Sequence, residues 1–222
     1  MSRIKFTLAA LAIAAVVPAY AAGLGGASVG LSAGTLGYGP QAGVTLVPNK
    51  FDARLTFGYL SYSYNTTSSN VAYAGHLKLQ NVGLLGDWHP FAGSFRLTGG
   101  LFYNDNQFNL AGQPSGGGTY TFNGNTYTAA EAGSVDANVS FNSLAPYIGF
   151  GWGDGGAGAG LHFTSDFGVM YQGSPNATIT ATNPTNNAQL ASDVAAAQAQ
   201  LQSDLSSFQW YPVVQVGLDY RF

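Results

Sequence analysis

The sequence predicts an all-β fold, an eight-stranded antiparallel transmembrane β-barrel with an extracellular hairpin and one short loop helix. Charged residues form 8% of the chain, compared with about 25% in soluble domains, while aromatic residues form 14% and there are 31 glycines. Apolar and polar residues alternate along many segments, which is the periodicity of a β-strand. Short and long connections also alternate, as they do in outer-membrane barrels, whose periplasmic turns are short and whose outer loops are long.

The N-terminus has the three parts of a secretory signal peptide. Arg3 and Lys5 supply positive charge, an apolar stretch follows, and Ala19-Tyr20-Ala21 matches the small-residue cleavage rule. The apolar stretch is shorter than the ~20 residues of a transmembrane helix. We therefore expect a signal peptide at residues 1–21 and an outer-membrane barrel domain at residues 22–222, exported in a Gram-negative cell.

Charge and cysteine content exclude several classes of function. The chain has 7 Lys and Arg against 10 Asp and Glu, and Arg3 and Lys5 belong to the signal peptide. No basic surface is left that could neutralise the phosphates of a nucleic acid. Cysteine is absent, which excludes disulfides and thiolate metal sites. We expect no cofactor, no metal ion and no nucleic-acid partner.

Alternation predicts seven strands, and bacterial barrels normally have an even number. The seven lie at residues 38–47, 51–64, 76–88, 95–109, 140–153, 161–171 and 209–222. The eighth is expected at Ala27–Ala33, followed by an outer turn near Gly34–Gly37. The alternative is one long kinked strand over residues 27–47 and an odd count.

The connections define the two ends of the predicted barrel. Three are short: Pro48–Lys50, Pro90–Ser94 and Asp154–Gly160. Two are long, Ala111–Asn138 and Gln172–Ser207, and an intermediate one is expected near residues 66–75. Counting back from a periplasmic C-terminus, every short turn falls on the periplasmic side.

Aromatic residues occur near the predicted strand ends, where amphipathic rings favour the two membrane interfaces. Those at the periplasmic ends are Phe51, Trp88, Phe95, Trp152, Tyr220 and Phe222. Those at the outer ends are Tyr103, Tyr171 and Trp210. A soluble β-sandwich, the competing fold, has no reason to distribute its rings in this way.

The two long loops contain local structure of their own. Asn123-Gly124 lies between alternating aromatic and Thr residues, which is a strong hairpin signal. The second loop has an apolar stripe at helical spacing, formed by Leu190, Val194, Ala197, Leu201, Leu205 and Phe208. We expect this helix to cover the barrel mouth, the hairpin or a partner.

The C-terminal residues Gly217-Leu218-Asp219-Tyr220-Arg221-Phe222 resemble the terminal signal of outer-membrane barrels, in which a final Phe follows apolar residues at alternate positions. The mature chain resembles small eight-stranded barrels, including a group of uncharacterised proteobacterial outer-membrane proteins. The resemblance implies that Leu218, Tyr220 and Phe222 are an assembly signal read by the barrel-assembly machinery. The other expected partner is outer-membrane lipid.

Seven charged residues are predicted to point into the barrel. They are Asp52, Arg54, Asp87, Arg96, Asp166, Asp219 and Arg221. Isolated buried charges cost several kcal/mol each, so these groups should pair. The pattern predicts a salt-bridge plug that closes the periplasmic end and fixes strand register. A proton or ion relay is the competing interpretation of the same residues.

Histidine and serine provide the only candidate for hydrolytic chemistry. A lipid hydrolase needs a nucleophile and a base, and His76 is predicted at the level of the outer leaflet. Ser61, Ser63 and Ser69 precede it along the chain. No spacing in the sequence ties any of these serines to His76.

These observations favour a non-enzymatic structural or surface-interaction protein with a plugged interior. An eight-stranded interior is only wide enough to be filled by side chains, which argues against a general porin. A narrow channel or binder for a small amphipathic molecule is the first alternative. An outer-leaflet lipid-modifying enzyme is the second. An extracellular ligand, if one exists, has no signature in the sequence.

Overall fold

The computed structural model describes residues 26–68, 70–114, 117–153 and 158–222. The expected signal peptide, residues 1–21, lies outside these ranges, so the division of the chain into a signal and a barrel domain stays a prediction.

Within the described residues the chain forms thirteen strands and two helices. In chain order they are β1 (Ala27–Gly34), β2 (Gly37–Val47), β3 (Phe51–Ser68), β4 (Val71–Trp88), β5 (Phe95–Asn104), β6 (Gln107–Pro114), β7 (Thr119–Phe122), β8 (Asn125–Thr128), α1 (Ala129–Ala132), β9 (Val135–Ser140), β10 (Leu144–Trp152), β11 (Gly160–Tyr171), β12 (Asn176–Ala181), α2 (Ala188–Leu205) and β13 (Trp210–Arg221). The prediction of an all-β antiparallel fold is confirmed. The predicted count of eight strands and one helix is wrong.

Eight of the strands pair in a ring, which we call the wall. Strands β1 to β5 pair in order, β5 pairs with β10, β10 with β11, β11 with β13, and β13 returns to β1. The ring is uneven, because only Asn81–Trp88 of β4 pairs with β5, while Val71–Lys78 pairs with β6. We call the end of the wall with the short connections the turn end.

The wall is inverted relative to a soluble sheet. Large apolar side chains point outward and are exposed, with Leu161 at 68% and Ile148 at 66%, while Arg96 and Asp219 point inward at 1%. Side chains alternate between the two faces along a strand, so this sorting confirms the alternation seen in the sequence. An exposed apolar belt of this size requires an apolar environment.

The separate first strand is confirmed. β1 ends at Gly34 and β2 begins at Gly37, which has a φ of +94°. A side chain at Gly37 would also come within 2.6 Å of the backbone of Tyr59. Only glycine therefore permits this turn, which directs Leu36 into the lumen, where it is 2% exposed.

Beyond the far end of the wall, the sheet continues as a structure that we call the cap. It contains the far halves of β3 and β4 with β6, β9 and β12, hydrogen-bonded in the order β3-β4-β6-β9-β12, together with the β7–β8 hairpin and both helices. The predicted loop near residues 66–75 is wrong, because β3 and β4 remain paired as far as Ser68 and Val71. The predicted strand 95–109 is also wrong, because Asp105 and Asn106 separate β5 from β6.

Helix α2 covers the cap rather than the barrel mouth. Asn187 caps its N-terminus by accepting hydrogen bonds from the amides of Gln189 and Leu190. Leu190 and Val194 are buried in a cluster with Val71, Tyr120, Phe122 and Tyr127. The predicted helix is therefore confirmed. Phe208 was wrongly included in the stripe, since it lies beyond the helix and is 60% exposed.

The same helix protects the free edge of the cap sheet. Gln202 accepts a hydrogen bond from the amide of Ala177 at 2.9 Å, and Gln198 accepts one from the amide of Ile179 at 3.0 Å. Unpaired strand edges invite pairing with another chain. The two glutamines satisfy donors of β12 that would otherwise form such an edge.

Asp193 fastens the hairpin to α2. Its carboxylate accepts hydrogen bonds from Tyr127, Asn125, Asn123 and Gln189. The Tyr127 hydroxyl contributes most to lowering the pKa of Asp193 to about 2, and the same hydrogen bond raises the pKa of Tyr127 to about 12. The charged form of Asp193 is therefore the form that holds the hairpin in place.

We predict that the hairpin stays docked at mild acidity and loosens in strong acid. The pKa of Asp193 is depressed from 3.8 to about 2, so its stabilising contribution is complete above the ordinary value and is lost as the pH falls through the depressed one. Pepsin should cleave residues 119–128 slowly at about pH 4 and faster at about pH 1.5. Asp193→Asn should be cleaved quickly at both. Equal cleavage of the wild type at the two pH values contradicts the prediction.

Candidate functional site

Four predicted interior residues meet in the lumen near the turn end, and we call them the charge layer. Arg54 comes from β3, Asp87 from β4, Arg96 from β5 and Asp166 from β11. Each occupies an inward position in its strand, and their side chains are 2–10% exposed. The wall thus brings together charges that are distant in sequence.

Arg54 bridges the two carboxylates with its planar fork of donors. Its Nε and Nη2 donate to Asp87 at 3.0 and 3.2 Å. Its Nη1 and Nη2 donate to Asp166 at 2.7 and 2.9 Å. Both contacts are bidentate, the geometry in which Arg pairs most strongly with a carboxylate.

Arg96 supplies the second positive charge. Its Nη2 donates to Asp166 at 3.0 Å, and its Nε lies 3.6 Å from Asp87. Thr98 adds a 2.6 Å hydrogen bond to Asp87. Two cations and two anions cancel, which makes burial of the layer tolerable.

The other three predicted residues also make polar contacts. Asp52 accepts from His89 Nε2 at 2.8 Å, Asp219 accepts from Gln41 at 2.6 Å, and Arg221 donates to Thr45 at 2.8 Å. Ion pairs join the four residues of the charge layer, and the inclusion of Asp52, Asp219 and Arg221 in the same network stays a prediction. The polar partners were missed because neutral Gln, Thr and His at inward positions give no charge signal.

His89 fixes the β4–β5 turn. Its second nitrogen, Nδ1, lies 2.9 Å from the carbonyl oxygen of Gly93. The hydrogen bond to Asp52 raises the pKa of His89. Because both neighbours accept hydrogen bonds, the protonated ring satisfies both of them at once.

An apolar layer lies in the lumen on the cap side of the charges. It consists of Leu36, Leu85, Phe102, Ala145, Tyr147, Met170 and Val213. Phe102 and Tyr147 meet edge to face with ring centroids 5.5 Å apart. Sequence analysis missed this layer, because inward residues were sought among charged side chains alone.

Two small spaces flank the charge layer, each of about 10 Å³. The one on the turn side is lined in part by Asp52, Thr45 and Arg221. The one on the cap side is lined by Tyr147 and Gln215, whose Oη and Oε1 atoms have no hydrogen-bond partner among the described residues. A space of this size with polar walls suits one water molecule.

One of the candidate serines contacts His76, a pairing that the sequence did not predict. Ser61 Oγ lies 3.1 Å from His76 Nε2. Ser63 is directly opposite His76 in the β3–β4 ladder, and Ser69 lies outside the described residues. Across residues 26–68, 70–114, 117–153 and 158–222, His, Asp and Glu form no cluster suited to a metal ion.

The proposed assembly residues lie at the outer surface of the last strand. Leu218, Tyr220 and Phe222 are 45–52% exposed, and the rings of Tyr220 and Phe222 are 5.1 Å apart. Nothing in these contacts tests recognition by an assembly machinery, which stays a prediction.

No helix in the described ranges is long and apolar enough to cross a membrane.

Comparison with known proteins identifies the fold. No family model matches the chain, and no curated protein matches it. Among solved structures, CarO2 of Acinetobacter baumannii is similar, with a TM-score of 0.60 and 19% identity over 90% of this chain and 99% of that one. CarO of Acinetobacter baumannii has a TM-score of 0.56 and 21% identity over 88% and 97%. The chain therefore shares the fold of outer-membrane β-barrel proteins.

We predict that the charge layer contributes strongly to stability. Arg54→Ala leaves two buried carboxylates short of a partner, which should lower the free energy of unfolding by about 3–5 kcal/mol. Lys50→Ala, which removes an exposed cation from the adjacent turn, should change it by less than about 0.5 kcal/mol. Urea unfolding in lipid vesicles measures both. Similar midpoints for the two variants contradict a stabilising ion-pair layer.

Proposed function

We propose that this protein spans the outer membrane as a plugged β-barrel and has a structural and surface-interaction role through its cap. The observation that carries the proposal is the inverted burial of the wall, with apolar side chains outside and a neutralised charge layer inside. The shared fold of outer-membrane barrels supports the location.

The outward rings support a membrane-spanning wall. At the turn end, Phe95 and Trp152 contact each other with centroids 5.6 Å apart. At the opposite end, Tyr171 and Trp210 lie 4.9 Å apart. Two aromatic girdles separated by an apolar belt are typical of outer-membrane barrels. This arrangement supports an orientation with the short turns in the periplasm and the cap outside the cell.

Two layers of different chemistry support a closed lumen. An ion that enters from the periplasm meets the guanidinium and carboxylate groups already paired with one another. Beyond them it meets the apolar layer, which contains Phe102 and Met170 and offers little hydration. Each layer by itself is a barrier, and the two lie in series.

The cap supports a role in surface interaction. On its inner face Tyr62, Tyr64 and Phe108 are 60%, 54% and 41% exposed. A cavity of about 200 Å³ also lies between the hairpin and the sheet, lined in part by Leu110 and Phe122. Exposed aromatic clusters mark interaction sites more often than chance.

A narrow path for a small amphipathic solute is the second candidate. The two water-sized spaces beside the charge layer favour it, because they interrupt the packing of the lumen on both sides. A solute would have to separate Arg96 from Asp166 and displace the rings of the apolar layer.

We predict that the protein fractionates with the outer membrane and that its folded form migrates differently from its boiled form on gels. A wall that exposes an apolar belt needs lipid around it, and closed barrels resist detergent until they are heated. Recovery of the mature chain as a soluble periplasmic monomer contradicts the proposed location.

We predict that wild-type protein gives no steady conductance in planar bilayers. Arg96→Ala should give little, because the apolar layer still closes the lumen, and Phe102→Ala should give little, because the charges remain paired. The double variant, which opens both layers, should conduct measurably. Steady conductance by the wild type favours the channel over the plug. A double variant without conductance contradicts closure of the lumen by these two layers.

A further inference from the structure

Ser61 and His76 lie on the outward face of the sheet, directly beyond the apolar belt. On β3 the outward positions continue from Leu55 and Phe57 through Tyr59 to Ser61. On this face, polar side chains therefore follow directly after the last apolar ones. A molecule lying against the belt extends toward the serine hydroxyl.

The depth of Ser61 follows from the strand geometry. Ser61 lies ten positions after Phe51, the outward ring at the turn end. Ten steps of ~3.3 Å along a strand tilted by ~40° rise about 25 Å. The apolar band of an outer-membrane barrel is about 25 Å tall. In the proposed orientation, Ser61 is therefore level with the outer interface, where acyl chains join their ester groups.

The two side chains have the geometry of a nucleophile and its base. The separation of 3.1 Å between Ser61 Oγ and His76 Nε2 lies in the range expected for an activated serine. If Ser61 donates this hydrogen bond, the neutral imidazole carries its own proton on Nδ1. Ser61 is exposed and His76 half-buried, so a lipid can reach the hydroxyl.

Two further features lie beside the pair. Lys78 is directly opposite Ser61 in the ladder, with its ammonium 2.5 Å from Asp105. Cross-strand neighbours have Cβ atoms about 5 Å apart, so an ion-paired lysine lies next to the nucleophile. One rung beyond His76, a depression of about 320 Å³ has Ala72, Ala74 and Ala111 on its wall and polar residues around it.

We propose that Ser61 and His76 form a catalytic pair that hydrolyses fatty acyl esters of outer-leaflet lipids. The acyl chain lies along the outward face below Tyr59, and the polar head occupies the alanine-walled depression. This activity uses the outer surface of the wall and leaves the lumen closed. It rests on the proposed membrane orientation and does not depend on the plug.

The reaction proceeds in two balanced steps. Ser61 Oγ attacks the ester carbonyl while His76 Nε2 takes its proton, and the lipid alcohol leaves with that proton as the acyl-serine forms. Water then attacks the acyl-serine while His76 takes a proton from it, and the fatty acid leaves as Ser61 regains its hydrogen. Ester and water are consumed, and alcohol and acid are released.

The test uses the mature full-length chain in two kinds of vesicle, one of phospholipid alone and one that also contains lipopolysaccharide. Fatty acid release measures hydrolysis, and a fluorophosphonate probe followed by mass mapping measures serine reactivity. Ser61→Ala should reduce release about 10³-fold, and His76→Ala should reduce both release and labelling by about 10²–10⁴-fold. Release in only one kind of vesicle identifies the lipid class and supports the proposal.

Ser63→Ala is the matched control, because it removes a neighbouring hydroxyl from the same face and should retain wild-type release. A heat-dependent gel shift of each variant establishes that its barrel has folded. Release by the folded wild type no greater than by folded Ser61→Ala overturns the proposal, as does labelling of a different serine. Failure of the wild type to enter the outer membrane instead overturns the proposed location, so the two failures are distinguishable.

Discussion

The bridge that Arg54 makes between Asp87 and Asp166 is the contact on which the arrangement of the wall depends. It joins β3 and β4 to β11 across the lumen through two bidentate contacts. A slip of one residue in any of these strands would turn a charge to the apolar outer face and an apolar side chain inward. Burial of these ion pairs therefore also favours the observed strand register, because every register that exchanges the two faces would expose the charges to the apolar surroundings.

The second constraint is that β4 belongs to two structures. Asn81–Trp88 completes the wall beside β5, and Val71–Lys78 begins the cap beside β6. Asp105 and Asn106 make this division possible, since the amide of Asp105 bonds to Gln80 and the chain changes direction there. The cap is consequently a continuation of the barrel sheet, and its position relative to the wall is set by continuous strands rather than by a hinge.

Sequence periodicity was sufficient to predict the bounds of a strand wherever one face of that strand was strongly apolar. Strands β11 and β13 were predicted with nearly their observed bounds because large apolar residues occupy most outward positions, as Phe163 and Leu218 do. The cap strands β9 and β12 were missed because each is only six residues long and its apolar face includes alanines, which give a weak hydrophobic signal. Inward charges were visible in the sequence, whereas their partners were not, since pairing Arg96 with Asp166 requires the ring to close. The Ser61–His76 contact likewise depends on ladder register, which no spacing in the chain reveals.

The proposed plug determines where this protein can act. Its interior groups are already matched to one another, Arg with Asp and Gln41 with Asp219, and matched groups have little left to offer a ligand. The outer surfaces differ, because the exposed rings of the cap and the polar residues beyond the apolar belt face solvent or lipid. Ser61 and His76 lie on paired strands, where their separation is set by the β3–β4 ladder. A reaction on the outer surface of the barrel is thus compatible with the proposed plug inside. The β3–β4 ladder positions Ser61 and His76, and the same two strands carry Arg54 and Asp87 of the charge layer.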